Sequence, residues 1–419
     1  MLSRRRFLSS VKQSAVGISL LPVLPSAVFA QAGKSEESAD DDYYAKLGVA
    51  HIINAAGTYT YLTAAIMPPQ VQRAVAEAAK HPVRLKDLQV ASGEYLAKKL
   101  KCEGALVSAG AASALTLGTA ACMALANNVE GTIRVPQGAD AMKNEVIVQK
   151  GHRYEYDQAL LNCGIQFREV VTESDYRNAF SSKTVMTHFF NAAESGEIDR
   201  ETWLKIAHEH NVPCMNDAAA DMPPIENLWK YTGMGFDLVC FSGGKGIRGP
   251  QNAGLLLGKK KLIDLAYSNN SPISDAVGRG MKVAKEQIVG MVAAVDWLLE
   301  QSNEAMQDEY KRRVDVIIQQ VKDIPTMKAS TFMPEVANHV PHLLLEYNPA
   351  TVGVTVQQAM EMLRKGTPSI ELNPATGTSE RTSIPSNADT IVVGVWMLQP
   401  GEDAIVGSRL RQVLTARNA

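Results

Sequence analysis

From about Leu47 to Gly258 short apolar runs alternate with longer stretches whose apolar residues recur at helical spacing. Val146–Gln149, Gln166–Val171, Thr184–Phe189, Val212–Met215, Leu238–Phe241 and Gly254–Leu257 read as strands, and segments between them, such as Arg200–His210, as helices. Pro68-Pro69 opens a helix to about Lys80, and Ala91 to Leu100 reads as another. The apolar run Gly104–Ser108 is followed by the small residues Ala109 to Ser113 and a small-residue helix to about Ala126, which predicts strand, tight turn, helix. Alternation of this kind predicts an α/β domain with a parallel-rich sheet covered by helices on both faces. No period of 20 to 50 residues points to a repeat array.

After Gly258 the pattern changes. Met281–Glu300 and Glu304–Lys322 read as long amphipathic helices; His342–Tyr347, Ser369–Leu372 and Thr390–Met397 as strands; Thr355–Lys365 and Gly401–Leu414 as helices. The expected organisation is a large α/β domain over 46–275 and a smaller C-terminal α+β domain over 276–419 that includes an interdomain helix.

The first residues differ in kind. Ser3-Arg4-Arg5-Arg6-Phe7-Leu8 precedes an apolar stretch from Val16 to Leu24 and small residues at Ala27, Ala30 and Ala32, the layout of an export signal over 1–32. The apolar part is too short, and too broken by Pro22 and Pro25, for a spanning helix of ~20 residues. The Ser-Arg-Arg-x-Phe-Leu run resembles a twin-arginine signal, a route for proteins exported already folded. The expectation is therefore cleavage after Ala30 or Ala32, a polar linker over 33–45, and a periplasmic protein with no membrane attachment once cleaved.

Composition narrows the chemistry. The 419 residues are 46% apolar and 21% charged, and Lys+Arg 42 against Asp+Glu 44 leave a net charge of -2. This balance lacks the basic field that nucleic-acid binding requires, so no nucleic-acid partner is expected. Cys102, Cys122, Cys163, Cys214 and Cys240 lie far apart and form no CxxC, which suggests neither a disulfide framework nor a metal site.

Ser242-Gly243-Gly244-Lys245-Gly246 puts a lysine in a glycine-flanked turn directly after an apolar strand, at the sheet edge where doubly wound folds bind ligands. Taken alone, Lys245 is equally a solvated turn lysine. Asp217 stands at the end of the preceding strand and is followed by Ala218-Ala219-Ala220. A helix N-cap is the alternative for this residue. Together the pair suits pyridoxal phosphate, which needs a carboxylate to keep its pyridine nitrogen protonated and a lysine to hold its aldehyde as an imine. The start of the small-residue helix, Gly110, Ala111, Ala112 and Ser113, offers free N–H groups and the positive end of a helix dipole to a phosphate, and Ser242 can add a hydroxyl. His152, after Gln149-Lys150-Gly151, is placed either to lie against a cofactor ring or at the surface. Neither G-x-G-x-x-G nor G-x-x-x-x-G-K-[ST] occurs at the helix start, which argues against a nucleotide site there.

Asn54-Ala-Ala-Gly57, the segment from Cys102 to Ser113, Gly151-His152, Asp217 to Ala220, Ser242 to Gly254 and Gly278-Arg-Gly-Met-Lys-Val-Ala-Lys-Glu286 together resemble the selenocysteine-synthase-like family of pyridoxal-phosphate enzymes, especially its D-glucosaminate-6-phosphate ammonia-lyase branch, over about 45 to 415. The resemblance implies a fold-type-I transferase-like architecture: a mostly parallel seven-stranded sheet with helices on both faces, a smaller C-terminal α+β domain, and a homodimer or larger assembly. It also implies Lys245 as imine lysine, Asp217 as pyridine-nitrogen partner, His152 as ring-stacking residue and the Gly110–Ser113 turn as phosphate cradle. Arg279 and Lys282 match two arginines that hold the anionic selenium donor in selenocysteine synthase; the second is lysine here, which keeps charge but loses the bidentate fork. Selenocysteine synthase carries an extra N-terminal domain for its tRNA, whereas only a signal and linker precede residue 45 here, and export would separate the protein from tRNA.

The expected activity is thus removal of a proton next to nitrogen on a small amino compound, followed by elimination of the ammonia-lyase type. Racemisation and transamination share the first step, and a catalytically inactive binding protein that retains the fold is the rival of another class.

Overall fold

The computed structural model describes residues 42–193, 196–378 and 384–416. The expected export signal and linker residues 33–41 lie outside the described residues. The chain divides into a unit up to Ala50 and a unit from His51 onward. Within the first, the helix Tyr43–Leu47 replaces the end of the expected linker; the Asp42 carboxylate caps it by accepting from the N–H groups of Tyr44 and Ala45.

In the second unit the strands are β1 (Ile52–Ala55), β2 (Gly104–Ser108), β3 (Glu145–Gln149), β4 (Gln166–Val170), β5 (Thr184–Phe190), β6 (Cys214–Asp217), β7 (Leu238–Ser242), β8 (Gly254–Gly258), β9 (Lys328–Phe332), β10 (His342–Glu346), β11 (Ser369–Leu372) and β12 (Thr390–Gly394). A seven-stranded sheet runs β2-β8-β7-β6-β5-β3-β4, antiparallel only where β8 meets its neighbours. The carboxyl ends of β2, β3, β5, β6 and β7 therefore share one edge.

Both faces are covered, as the continuous apolar runs require. One face packs Leu106, Met186, Met215, Cys240 and Leu256 against the helix Gly110–Ala126, which approaches so closely that a side chain at Gly118 would meet Met215 Sδ at 2.6 Å. The other packs Val107, Ile147, Phe189, Val239 and Leu255 against Trp203 and Ile206 from the helix Arg200–Glu209. The expected interdomain element, the helix Lys285–Leu299, adds Ile288, Met291 and Val295 to this same cluster. At ~1.5–3 kcal/mol for each large apolar side chain buried, these two layers dominate the stability of the sheet.

The smaller C-terminal part is an antiparallel sheet, β12-β10-β9, with the helices Asn303–Val321 and Glu402–Thr415 in one apolar cluster. A chain segment from far upstream joins it: β1 pairs in parallel with β11, and Ile53 and Ala55 pack in that cluster. A stretch placed by sequence in the large domain thus lies with the C-terminal part, and brings residues 56–60 to the edge where the large sheet ends.

Candidate active site

The strand expected over Val212–Met215 runs two residues later, so that Asp217 is its last residue. Asp217 pairs with Cys240 of β7 in parallel register, and Lys245 follows β7 in the next turn. No helix starts at Asp217, so the capping alternative falls away; its Oδ1 instead accepts from Ala219 N–H at 2.9 Å and Cys240 Sγ at 3.3 Å, and its Oδ2 accepts from the Tyr154 hydroxyl. The lysine turn is held by close backbone packing. A Cβ at Gly244 would lie 2.7 Å from Gln251 Cα, and one at Gly243 would lie 2.7 Å from Ala253 O.

Lys245, Asp217, Ser242, Gly110, Ala111 and Ala112 line one cavity of about 320 Å³. The size and mixed lining suit a small cofactor. Lys245 is half-buried, and its Nζ makes no hydrogen bond or ion pair with the described residues; burial lowers its pKa below the ordinary lysine value against the pull of Asp217 and Asp221. Opposite it the helix Gly110–Ala126 presents its first turn, where N–H groups have no partner within the helix. Ser113, in that turn, is buried with its hydroxyl unpartnered; it does not line the cavity itself.

His152 is not where the sequence placed it. It is 3% exposed, packs edge-on against Phe189 at 4.6 Å, accepts from Phe190 N–H on Nδ1 at 3.2 Å and faces Gln149 Nε2 with its other nitrogen at 3.3 Å. Its backbone turn tucks it under the carboxyl end of β5, where burial lowers its pKa to about 4 and keeps it neutral. The aromatic wall of the cavity is Tyr154 and Phe190, stacked with ring centroids 4.0 Å apart. Sequence reasoning missed both. The signal available was the pair of aromatic residues Tyr154 and Tyr156 directly after Gly151-His152, in the loop that leaves the carboxyl end of β3.

Arg279 and Lys282 do not open a helix, which begins only at Lys285. They lie in the preceding turn and loop, do not line the lysine cavity, and have no acidic partner among the described residues.

Behind the turn after Asp217 lies a second buried carboxylate. Asp221, 1% exposed, accepts on Oδ2 from Asn191 Nδ2 and from the Tyr231 hydroxyl at 2.9 Å, while Arg200 Nε donates to Asn191 Oδ1 at 2.6 Å. Burial pushes its pKa from 3.8 up to about 6, partly offset by those two donors. The folded state therefore holds a proton that the unfolded chain releases, so stability falls as pH rises through this window and then levels off. Relative to Asp221→Asn, the wild type should lose about 3 kcal/mol of unfolding free energy between pH ~4 and ~7. Denaturant titrations of both proteins at each pH check this; a pH-independent difference refutes it.

The fold is of aminotransferase-like architecture, and the matching family model makes the chain a pyridoxal-phosphate-dependent enzyme. Within that class, the chain belongs to the L-seryl-tRNA selenium transferase family, whose model matches residues 52–308. It is 28% identical over 343 residues to a 5'-C-glycyluridine monooxygenase-decarboxylase from Streptomyces sp, a match covering 78% of this chain and 83% of that one. It is 23% identical to the D-glucosaminate-6-phosphate ammonia lyase of Salmonella typhimurium, over 88% of this chain and 97% of that one. A solved structure of a D-glucosaminate-6-phosphate ammonia-lyase superposes with a TM-score of 0.75 at 22% identity, over 88% of this chain and 97% of the other.

Proposed function

We propose that the protein is a pyridoxal-phosphate-dependent lyase acting on a small amine. The observation that carries the reading is the unpartnered Lys245 Nζ facing the Asp217 carboxylate across one cavity whose far end is an open helix N-terminus. Lys245 would hold the cofactor's aldehyde, Asp217 its pyridine nitrogen, and the Gly110–Ser113 turn its phosphate. The fit is supported by spare capacity: a carboxylate offers about four lone-pair sites, of which Tyr154, Ala219 and Cys240 use three. When bound, the cofactor supplies an electron-accepting ring that stabilises negative charge on the carbon next to the substrate nitrogen.

The chain's own residues do the rest. Displaced by the substrate amine, Lys245 Nζ is a free base whose burial keeps its pKa low, so it can take the proton from that carbon and return one to the leaving group. Tyr154 and Phe190 confine the reacting group and exclude water from one side. Racemisation and transamination begin with the same proton transfer; elimination is preferred because a lyase is among the relatives matched along nearly their whole length. The purified protein should absorb in the visible, lose that absorbance on borohydride reduction, and release ammonia with a keto product from one of a panel of D- and L-amino acids and amino sugars. Inversion or amino transfer without ammonia release would refute elimination.

The working form is read as a homodimer or higher homo-oligomer, with Arg279 and Lys282 offered to an anionic substrate group at the subunit interface. Residues 1–32 are read as a twin-arginine signal that places the enzyme in the periplasm, with no role for tRNA. Changing Arg4, Arg5 and Arg6 to lysine should leave uncleaved precursor in the cytoplasm. Wild-type protein found wholly cytoplasmic with Met1–Ala30 intact overturns export.

A further inference from the structure

A separate pocket of about 250 Å³ opens against the turn that holds Lys245, and it shares no lining residue with the lysine cavity. Its walls come from that turn through Gly246 and Arg248, from the helix Asn303–Val321, from the end of the helix Lys285–Leu299 and from Trp396 after β12. Arg248 ties the turn to the C-terminal part: its backbone N–H donates to Lys245 O at 2.9 Å, and its Nη2 donates to Trp396 O at 2.7 Å. No carboxylate pairs with it among the described residues. Burial lowers its pKa below the ordinary arginine value; Tyr310 pulls the other way, and Arg313 adds to the lowering. Arg313, 8% exposed, is by contrast fully engaged: Nε donates to Glu309 Oε1 at 2.8 Å, and Nη1 donates to Val395 O at 3.0 Å and Leu398 O at 2.6 Å. Glu309 also accepts from Arg312 Nε at 2.7 Å, and Arg312 with Arg313 holds its pKa down to about 2.

The charged residues lining the pocket are thus Arg248, Arg313 and Glu309, and the last two satisfy each other, which leaves Arg248 without a counter-charge. A cation taken out of water is unfavourable until it is paired. Arg248 Nε and Nη1 and the Tyr310 hydroxyl make no hydrogen bond with the described residues and remain open to solvent, unlike the sealed Trp396 Nε1. Burial raises the Tyr310 pKa above the ordinary tyrosine value, so the hydroxyl keeps a hydrogen to donate. Donors of this kind match a carboxylate, which only accepts. A doubly charged anion would leave one charge facing Glu309. Trp297, Ala305 and Met306 add an apolar wall to the same pocket. We propose that this pocket binds a small monocarboxylate with an apolar tail, its carboxylate held by Arg248 and Tyr310 and its tail against Trp297 and Met306. The site is distinct from the cavity that takes the reacting amine, and the proposal stands apart from the role given to Lys245.

Calorimetry on the purified protein tests this with phenylacetate, its uncharged isostere phenylacetamide, acetate, which lacks the tail, and inorganic phosphate. Phenylacetate should bind at least about tenfold more tightly than each of the other three. Arg248→Met keeps an unbranched stem without the guanidinium and should abolish the preference for phenylacetate over phenylacetamide. Tyr310→Phe keeps the ring, should weaken phenylacetate about tenfold and should leave the thermal midpoint without ligand unchanged; it decides the matter if Arg248→Met does not fold. Lys245→Ala, which alters the lysine cavity, should bind phenylacetate as the wild type does. Absent binding, equal binding of phenylacetamide or phosphate, or undiminished affinity in Tyr310→Phe overturns the proposal. So does binding that is lost in Lys245→Ala and kept in Arg248→Met, which would place the anion in the lysine cavity.

Discussion

Lys245→Ala should abolish the visible absorbance and the activity together while leaving the protein folded. Lys245 is the one lysine among the residues that line the cavity, so no neighbouring amine can take its place. Its side chain belongs to none of the apolar clusters, and replacing it removes a half-desolvated ammonium with no bond to the described residues, which costs the fold little. The loss of the proton transfer alone is worth about 10²–10⁴ in rate, and loss of covalent attachment adds to it. Borohydride reduction followed by peptide mapping gives the decisive measurement. Label on the peptide holding Lys245 in the wild type and none in the variant supports the assignment; label retained on another lysine in the variant refutes it.

The parts of the site that sequence could locate are those where local chemistry and local structure coincide. A lysine among glycines after an apolar strand, an aspartate ending another, and small residues opening a helix all announce themselves within a few positions, and the sheet brings their strands to one edge. His152 shows where such reasoning stops. Its position after β3 was right, but the direction of its ring is decided by Phe189 and by the Phe190 N–H, partners that come from another strand. Strands β1 and β9 were missed for related reasons. β1 has four residues and finds its partner only in β11, and β9 is mostly exposed, with a polar sequence that carries little alternation. The grouping of Tyr59 with Asn338, His342 and Trp396 beside Lys245 was wholly invisible, because it depends on the long-range pairing of β1 with β11.

That division of labour bears on how one family accommodates different reactions. The matched relatives are named for a monooxygenase-decarboxylase, an ammonia lyase and a selenium transferase. Under the proposed roles, Lys245 and Asp217 would serve the proton transfer that elimination, racemisation and transamination share, and so would not select among those outcomes.

Asp217→Asn should leave the fold and much of the cofactor affinity in place but slow turnover by about 10- to 100-fold, the rate equivalent of ~1.5–3 kcal/mol for a hydrogen bond to a charged group. The amide is nearly isosteric. Its oxygen can still accept from Ala219 N–H, and its NH₂ can donate to the Tyr154 oxygen, which only needs to rotate its own hydrogen away. What the substitution removes is the negative charge that favours a protonated pyridine nitrogen. No other carboxylate lines the cavity among the described residues: Asp221 is turned toward Asn191 and Tyr231 on the far side of the Ala218–Ala220 turn, and Asp157 is tied to Arg153. The expected pattern is a lowered kcat with a shifted visible spectrum and a small change in cofactor dissociation constant. Wild-type turnover with an unchanged spectrum in Asp217→Asn would show that the ring nitrogen is not held by this residue, and the cavity would then have to bind its cofactor in some other orientation.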